Sequence, residues 1–171
     1  MRGLVDEGLR PVAKRIRLVA FDFDGVFTDN TVYVSQEGSE MVRCWRGDGL
    51  GLRELERLGR EILILSTEEN PVVTLRSRKL RVDCVQGCPD KLAELTRQVR
   101  NRGMEMAQVA FVGNDVNDLP CLRSVGLPIV VGDAHPAVLP AALYTTRTAG
   151  GHGAVREVCD LFAYLLSPEP A

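Results

Sequence analysis

Apolar residues recur along this chain in two rhythms, and their alternation outlines the fold. Short apolar runs lie within Arg17 to Phe23, Glu61 to Ser66, Val82 to Val85, Val109 to Val112 and Pro128 to Val131. Runs of this kind suit strands buried on both faces of a sheet. Between them, apolar residues return every three or four positions, as in Leu52, Leu55 and Leu58, or Leu92, Leu95 and Val99. The same spacing marks a final helix, Ala154 to Leu166, with Val155, Val158, Leu161, Phe162 and Leu165 inward. Such spacing is one face of a helix. Gly59 and Gly103 close two of these helices. Asn70-Pro71 opens another, with Asn as cap and Pro at the first position, and Val72, Val73 and Leu75 inward. Further helices are expected up to about Val125 and after Asp133 and His135-Pro136, with a last short strand at Tyr144 to Thr146. Strands alternating with helices predict an α/β fold built on a single, doubly wound parallel sheet. Right-handed crossovers then place helices on both faces.

One segment breaks the alternation. Thr31 to Ser35 and Glu40 to Trp45 flank Gln36-Glu37-Gly38-Ser39, which reads as a β-hairpin. It stands between the first strand and the helix that opens at Asp48-Gly49, as a flap over a site or an oligomer contact. Residues 1–15 show no period and are expected to form a flexible arm. Residues 16–166 form one domain, and residues 167–171 a frayed tail.

Composition narrows the classes of function. A chain of 171 residues is long enough to bury one core. Its 21 basic and 23 acidic residues are interspersed and give a net charge of -2, which argues against a nucleic-acid partner. No apolar run approaches the roughly 20 residues of a membrane span, and Met1 to Arg17 lacks the apolar segment of a signal peptide. Five scattered cysteines are expected to be reduced thiols in a cytoplasmic protein. Cys84 and Cys88 have no second pair with which to hold zinc, and His135 and His152 read as structural.

The candidate chemistry sits where strands end. Asp22-Phe23-Asp24-Gly25 puts two carboxylates at the end of an apolar run, and unpaired buried charge is costly enough to call for a cation. Alternate strand residues point to opposite sides. One ion shared by Asp22 and Asp24 therefore needs a backbone carbonyl from one of them, or a strand that has already ended. Oxygen ligands of this kind suit Mg²⁺. Ser66-Thr67 and Gly113-Asn114-Asp115 also follow strands directly, and open α/β sheets bind ligands at the carboxyl ends of their strands. Lys91, in the first turn of a helix where the dipole disfavours a cation, can reach the same edge. Carboxylates, a hydroxyl and an ammonium around one point are the equipment for phosphoryl transfer. Arg76, Arg78, Lys79 and Arg81 cluster beside Glu68 and Glu69, either as a solvated face or as a contact for an anionic substrate.

Asp22-Phe23-Asp24-Gly25-Val26, Ser66, Lys91 and Gly113-Asn114-Asp115 with Asn117-Asp118 resemble, in order, the four motifs of the haloacid dehalogenase superfamily of phosphotransferases. The resemblance implies that Asp22 is the nucleophile and Asp24 the general acid/base, with Ser66 and Lys91 holding the phosphoryl group. It implies Mg²⁺ bound by the Asp22 side chain, the Asp24 carbonyl and the fourth motif. Many relatives have Gly-Asp-Asp where this chain has Gly113-Asn114-Asp115, so either Asn114 or Asp115 takes the ligand role. Asp118 would orient metal waters or Lys91.

The hairpin, Asp48-Gly49 and Gly150-Gly151-His152-Gly153-Ala154-Val155-Arg156-Glu157 are similar to the small branch without a cap domain. That branch dephosphorylates 3-deoxy-octulosonate 8-phosphate and nonulosonate 9-phosphates, and its members are typically homotetramers with the flap near a neighbour's site. Ser66-Thr67-Glu68-Glu69-Asn70-Pro71 replaces the Thr-Gly-Arg usual in octulosonate phosphatases. It is similar to nonulosonate 9-phosphate phosphatases and to the phosphatase-like domain of acylneuraminate cytidylyltransferases. By that resemblance Glu68, Arg76 and Lys79 contact the sugar acid. The expectation is an Mg²⁺-dependent phosphatase of a nonulosonate 9-phosphate. The alternatives are an octulosonate 8-phosphate or other phosphosugar phosphatase, and a noncatalytic oligomerisation module for a sugar cytidylyltransferase. That module would be expected to have lost the nucleophile or acid, yet Asp22, Asp24 and Lys91 are all present.

Overall fold

The computed structural model describes residues 6–167. Its sheet has six strands: β1 (Leu18–Phe21), β4 (Glu61–Leu65), β5 (Asp83–Val85), β6 (Val109–Gly113), β7 (Leu127–Val130) and β8 (Tyr144–Thr145). Their order is β5-β4-β1-β6-β7-β8, and every pairing is parallel. β1 is central, pairing Leu18 with both Glu61 and Val109. All four of its residues are buried. Val19 and Phe21 face one apolar layer and Leu18 and Ala20 the other, which explains a strand without polar alternation.

Helices α1 (Arg10–Arg15), α2 (Asp48–Arg57), α3 (Val72–Leu80) and α6 (Ala154–Leu166) supply residues to the first layer. Helices α4 (Lys91–Asn101) and α5 (Leu119–Leu122) supply the second. The sheet is therefore doubly wound. The hairpin is present as β2 (Tyr33–Val34) and β3 (Glu40–Met41), an antiparallel pair outside the main sheet.

Three expectations are corrected. Residues 6–15 are not a loose arm; residues 1–5 and 168–171 lie outside the described residues. Leu9 and Ala13 are buried, and α1 lies against α6. The buried Arg10 guanidinium donates to the carbonyls of Leu165 and Ser167 at 2.7 and 2.9 Å. It thus satisfies groups that the end of α6 leaves without helical partners, where the dipole favours a cation.

No helix follows His135-Pro136. Only a 3₁₀ turn, Leu139–Ala141, forms there. Pro140 in a continuous helix would clash with the carbonyl of Pro136, four residues earlier. Leu75 is exposed, because α3 buries Val73, Ser77 and Leu80, and Leu75 lies on the far side of that stripe.

Candidate active site

β1, β4 and β6 end side by side, and each delivers the next residues of its chain to one edge. After Phe21 the strand has ended, although Asp22 N still donates to Val112 O at 2.9 Å. Asp22 is buried, and its Oδ1 accepts from Phe23 N at 2.7 Å. Lys91 opens α4, capped by Asp90, whose side chain accepts from Ala93 N. Its Nζ reaches Asp22 Oδ1 at 2.7 Å and Asp118 Oδ1 at 2.8 Å. Asp118 also accepts from Asn114 N at 2.9 Å. The two acids explain why a cation is stable at the start of a helix.

These surroundings set the charges. Burial, reinforced by the Asp118 charge and opposed by Lys91, pushes the Asp22 carboxyl up to about 7. Burial also raises Asp24, with the neighbouring Glu68 adding to the shift, so this side chain keeps a proton more readily than an ordinary aspartate. Burial opposes the charge on Lys91, but Asp22 and Asp118 outweigh it and hold its pKa above the ordinary value.

A pocket of about 110 Å³ opens beside these groups, lined by Asp22, Asp24, Asn30, Thr67, Asn114, Asp115 and Asn117. It has room for a phosphoryl group. The Asn114 amide points one terminal atom at this cluster, 3.0 Å from the Asp24 carbonyl oxygen and 3.2 Å from Asp22 Oδ2. As nitrogen, that atom donates to both. As oxygen, it completes a set of three oxygens suited to holding a cation. Octahedral Mg²⁺ at about 2.0–2.1 Å from each ligand separates adjacent oxygens by roughly 2.9–3.0 Å. The residues therefore fit a small hard cation. Among the described residues no three His, Cys, Asp or Glu side chains form a metal cluster. This set reaches three oxygens only by adding a backbone carbonyl and an amide. Asp115 lines the pocket but spends Oδ1 on Val116 N at 2.6 Å.

Other sequence candidates are placed differently. Ser66 is buried and its Oγ accepts from Glu68 N at 3.0 Å. Its neighbour Thr67, rather than Ser66, lines the small pocket. Glu68 Oε1 accepts from Glu69 N and Asn70 N at 2.7 Å, ordering the approach to α3. Arg76 and Lys79 line a separate cleft of about 700 Å³ with Glu40, Arg46 and Leu75. The structure thus brings Asp22, Asp24, Lys91, Asn114 and Asp115 together and leaves Arg76 and Lys79 apart from them.

Sequence reasoning missed Asn30, whose φ of 61 is tolerated by Asn. It also missed Glu40, which receives a hydrogen bond from Asn70 Nδ2 at 3.0 Å and adds to the raised pKa of Asp24. A hairpin residue carries no sequence signal that it folds back to a strand end.

A family profile described as haloacid dehalogenase-like hydrolase matches residues 62–158. The 3-deoxy-D-manno-octulosonate 8-phosphate phosphatase KdsC of Yersinia pestis is 38% identical over 150 residues, covering 87% of this chain and 80% of that protein. The chain belongs to the haloacid dehalogenase-like hydrolases. Within that superfamily it stands in the KdsC-like branch without a cap domain. A solved 3-deoxy-D-manno-octulosonate 8-phosphate phosphatase from Moraxella catarrhalis, in complex with a magnesium ion, a phosphate ion and KDO, superposes with a TM-score of 0.90 at 32% identity. The match covers 94% of this chain and 93% of that one. The cobalt-bound deoxy-D-mannose-octulosonate 8-phosphate phosphatase of Haemophilus influenzae gives 0.85 at 28% identity, covering 90% and 91%. No helix among the described residues of this haloacid dehalogenase-like hydrolase is long and apolar enough to cross a membrane.

Proposed function

We propose that this chain is a cytoplasmic, Mg²⁺-dependent phosphatase that hydrolyses the phosphomonoester of an acidic sugar. The reading rests on one observation above the rest: a buried carboxylate, Asp22, held between a lysine and a converging set of oxygens. In this scheme Asp22 attacks phosphorus and the bond to the sugar oxygen breaks. Asp24, whose carboxyl burial raises above the ordinary aspartate value, gives its proton to that oxygen. The aspartyl phosphate then yields to a water from which Asp24 takes a proton, releasing phosphate and restoring Asp22. Lys91, the Ser66-Thr67 segment, of which Thr67 lines the pocket, and the backbone at the strand ends offset the phosphoryl charge. Mg²⁺, held by the Asp22 side chain, the Asp24 carbonyl and Asn114, with Asp115 beside them, would supply further charge neutralisation.

The favoured substrate is 3-deoxy-D-manno-octulosonate 8-phosphate, the substrate in the names of the relatives. Glu68 keeps a second reading open. It stands in the segment that departs from the octulosonate pattern, and it adds to the raised pKa of Asp24. By the departure of that segment the second reading is a nonulosonate 9-phosphate, with Glu68, Arg76 and Lys79 as its contacts. In this reading the pocket beside Asp22 takes the phosphoryl group and the sugar extends from its mouth. The hairpin exposes Val32, Tyr33, Val34 and Met41, which suits burial between subunits of a homotetramer.

The test is phosphate release from octulosonate 8-phosphate, nonulosonate 9-phosphates, hexose phosphates and an aryl phosphate, with and without EDTA, beside Asp22→Asn. The expected result is metal-dependent release from one sugar-acid phosphate and none from the folded variant. Release by Asp22→Asn at the native rate would remove the nucleophile assignment. Silence of the native protein toward every ester would favour the noncatalytic module instead.

A further inference from the structure

Asp48 is a buried acid that the reaction scheme does not use. It is 1% exposed and begins α2, and its Oδ2 has no hydrogen-bond partner among the described residues. Its Oδ1 accepts from Arg156 N at 3.2 Å, across 108 positions of sequence. Arg156 is the third residue of α6, whose own cap position is Gly153, with φ 106 and no side chain to accept a bond. A cap normally accepts from the second or third helical N–H. Asp48 performs that task for α6 from another helix. The two helices meet closely there, since a Cβ on Gly51 would stand 2.8 Å from Arg156 Cδ.

What α6 anchors is the segment before it. Glu157 Oε2 accepts from Thr148 N and Thr148 Oγ1 at 3.0 and 2.6 Å. Gly151 N donates to Val26 O at 3.1 Å. A Cβ on Gly150 would lie 1.9 Å from Gly25 O, and one on Gly151 would lie 2.3 Å from Asp29 N. The glycine loop therefore packs backbone against backbone on the turn that begins at Asp24. Contacts thus run from Asp48 through the start of α6 and the glycine loop to the backbone of Gly25 and Val26, the residues that follow Asp24.

We propose that Asp48 is a positioning residue for Asp24: by capping α6 from α2 it holds the glycine loop against the turn that aims the Asp24 carboxyl at the leaving oxygen. The inference rests on the reading of Asp24 as general acid. Proton donation matters most when the leaving group is a poor one, so the dependence of rate on leaving group reports the aim of Asp24 rather than the amount of folded enzyme.

The experiment measures kcat/KM for aryl phosphates from 4-nitrophenyl to phenyl phosphate, together with melting temperature. It compares the native enzyme with Asp48→Ala, Asp48→Leu, Asp48→Asn and Asp24→Asn. Asp48→Leu keeps the volume without the acceptor, and Asp48→Asn keeps the acceptor without the charge. The expected result is that Asp48→Ala and Asp48→Leu lose about tenfold more on phenyl than on 4-nitrophenyl phosphate, as Asp24→Asn does. Asp48→Asn restores the native ratio. Gly150→Ala breaks these contacts at their other end and is expected to steepen the dependence in the same way, whatever the Asp48 variants do to folding. Equal losses across the series in Asp48→Leu and Gly150→Ala, beside a steepened series in Asp24→Asn, overturn the role of Asp48 alone. An unchanged series in Asp24→Asn overturns the acid assignment itself.

Discussion

Lys91 Nζ and Asp118 Oδ1 lie 2.8 Å apart, with side chains 2% and 0% exposed. The same ammonium meets Asp22 at 2.7 Å, so one cation balances two carboxylates away from water. Removing it leaves two buried acids facing each other, whereas removing Asp118 leaves an intact pair. Lys91→Met is therefore expected to cost about 3–5 kcal/mol and Asp118→Asn about 1–3 kcal/mol in urea denaturation. Both variants should also release phosphate at least about 100-fold more slowly. The opposite order of stabilities would make Asp118, not Lys91, the organiser of the cluster.

As the proposed Mg²⁺ ligand, Asn114 would contribute an oxygen without a charge, and that has opposite consequences with and without metal. Asn114→Asp adds a carboxylate beside Asp22, Asp24 and Asp118. It should lower the melting temperature in EDTA and lower the Mg²⁺ concentration needed to raise it again. Asn114→Ala should weaken the Mg²⁺-induced shift at least about tenfold. Asp115→Asn should change it little, because Asp115 already caps Val116 N. A larger effect at Asp115 than at Asn114 would exchange their roles.

The sequence exposes groups whose role follows from chain position and hides those whose role follows from folding back. Asp22, Asp24 and Asn114 are legible because each follows an apolar strand, and parallel strands end on one edge. Lys91 is legible as a misplaced cation. Arg10 is not, because its value comes from the carbonyls at the far end of the chain. The spacing of Leu9, Ala13 and Ile16 is helical, but a six-residue helix made of one turn and a half gives too short a pattern to read. Arg76 and Lys79 read as neighbours of Glu68, yet α3 turns them toward the wide cleft. Asp48 looks like an ordinary helix start until α6 is seen to borrow it.

Asp48 also predicts a pH dependence of stability. Burial pushes its carboxyl from an ordinary 3.8 up to about 7, so the folded chain keeps a proton that the unfolded chain releases. From about pH 4 to pH 7 the unfolded state binds fewer protons, and stability falls as pH rises. Below that window no ionisation penalty applies; above it the penalty is complete, at up to about 4 kcal/mol. Asp22 contributes a slope of the same sign. The difference between the native chain and Asp48→Asn isolates Asp48. Melting in EDTA should give matching temperatures at pH 4 and a higher one for the variant at pH 8. A constant difference across that range would mean that Asp48 titrates as an ordinary aspartate.

Lys79 tests how the sugar acid is recognised. It lines the cleft of about 700 Å³ with Arg46 and Arg76, between the hairpin and α3. The pocket beside Asp22 has no lysine or arginine in its lining. Near Asp24 stand Glu68 and Glu40, which raise its pKa and disfavour a substrate carboxylate at that point, though Glu68 can still meet sugar hydroxyls. A substrate carboxylate therefore needs a cation from elsewhere, and the cleft holds three. Lys79→Ala is expected to raise KM for the sugar-acid phosphate about tenfold, the size of one charge-assisted hydrogen bond. It should leave aryl phosphate hydrolysis at the native rate, because the aryl ester has no carboxylate to bind. The exposed ammonium is open to screening, so the advantage of the native enzyme should shrink in high salt. Equal losses on both substrates, or a salt-independent difference, would take Lys79 out of substrate recognition and leave the cleft to a partner subunit.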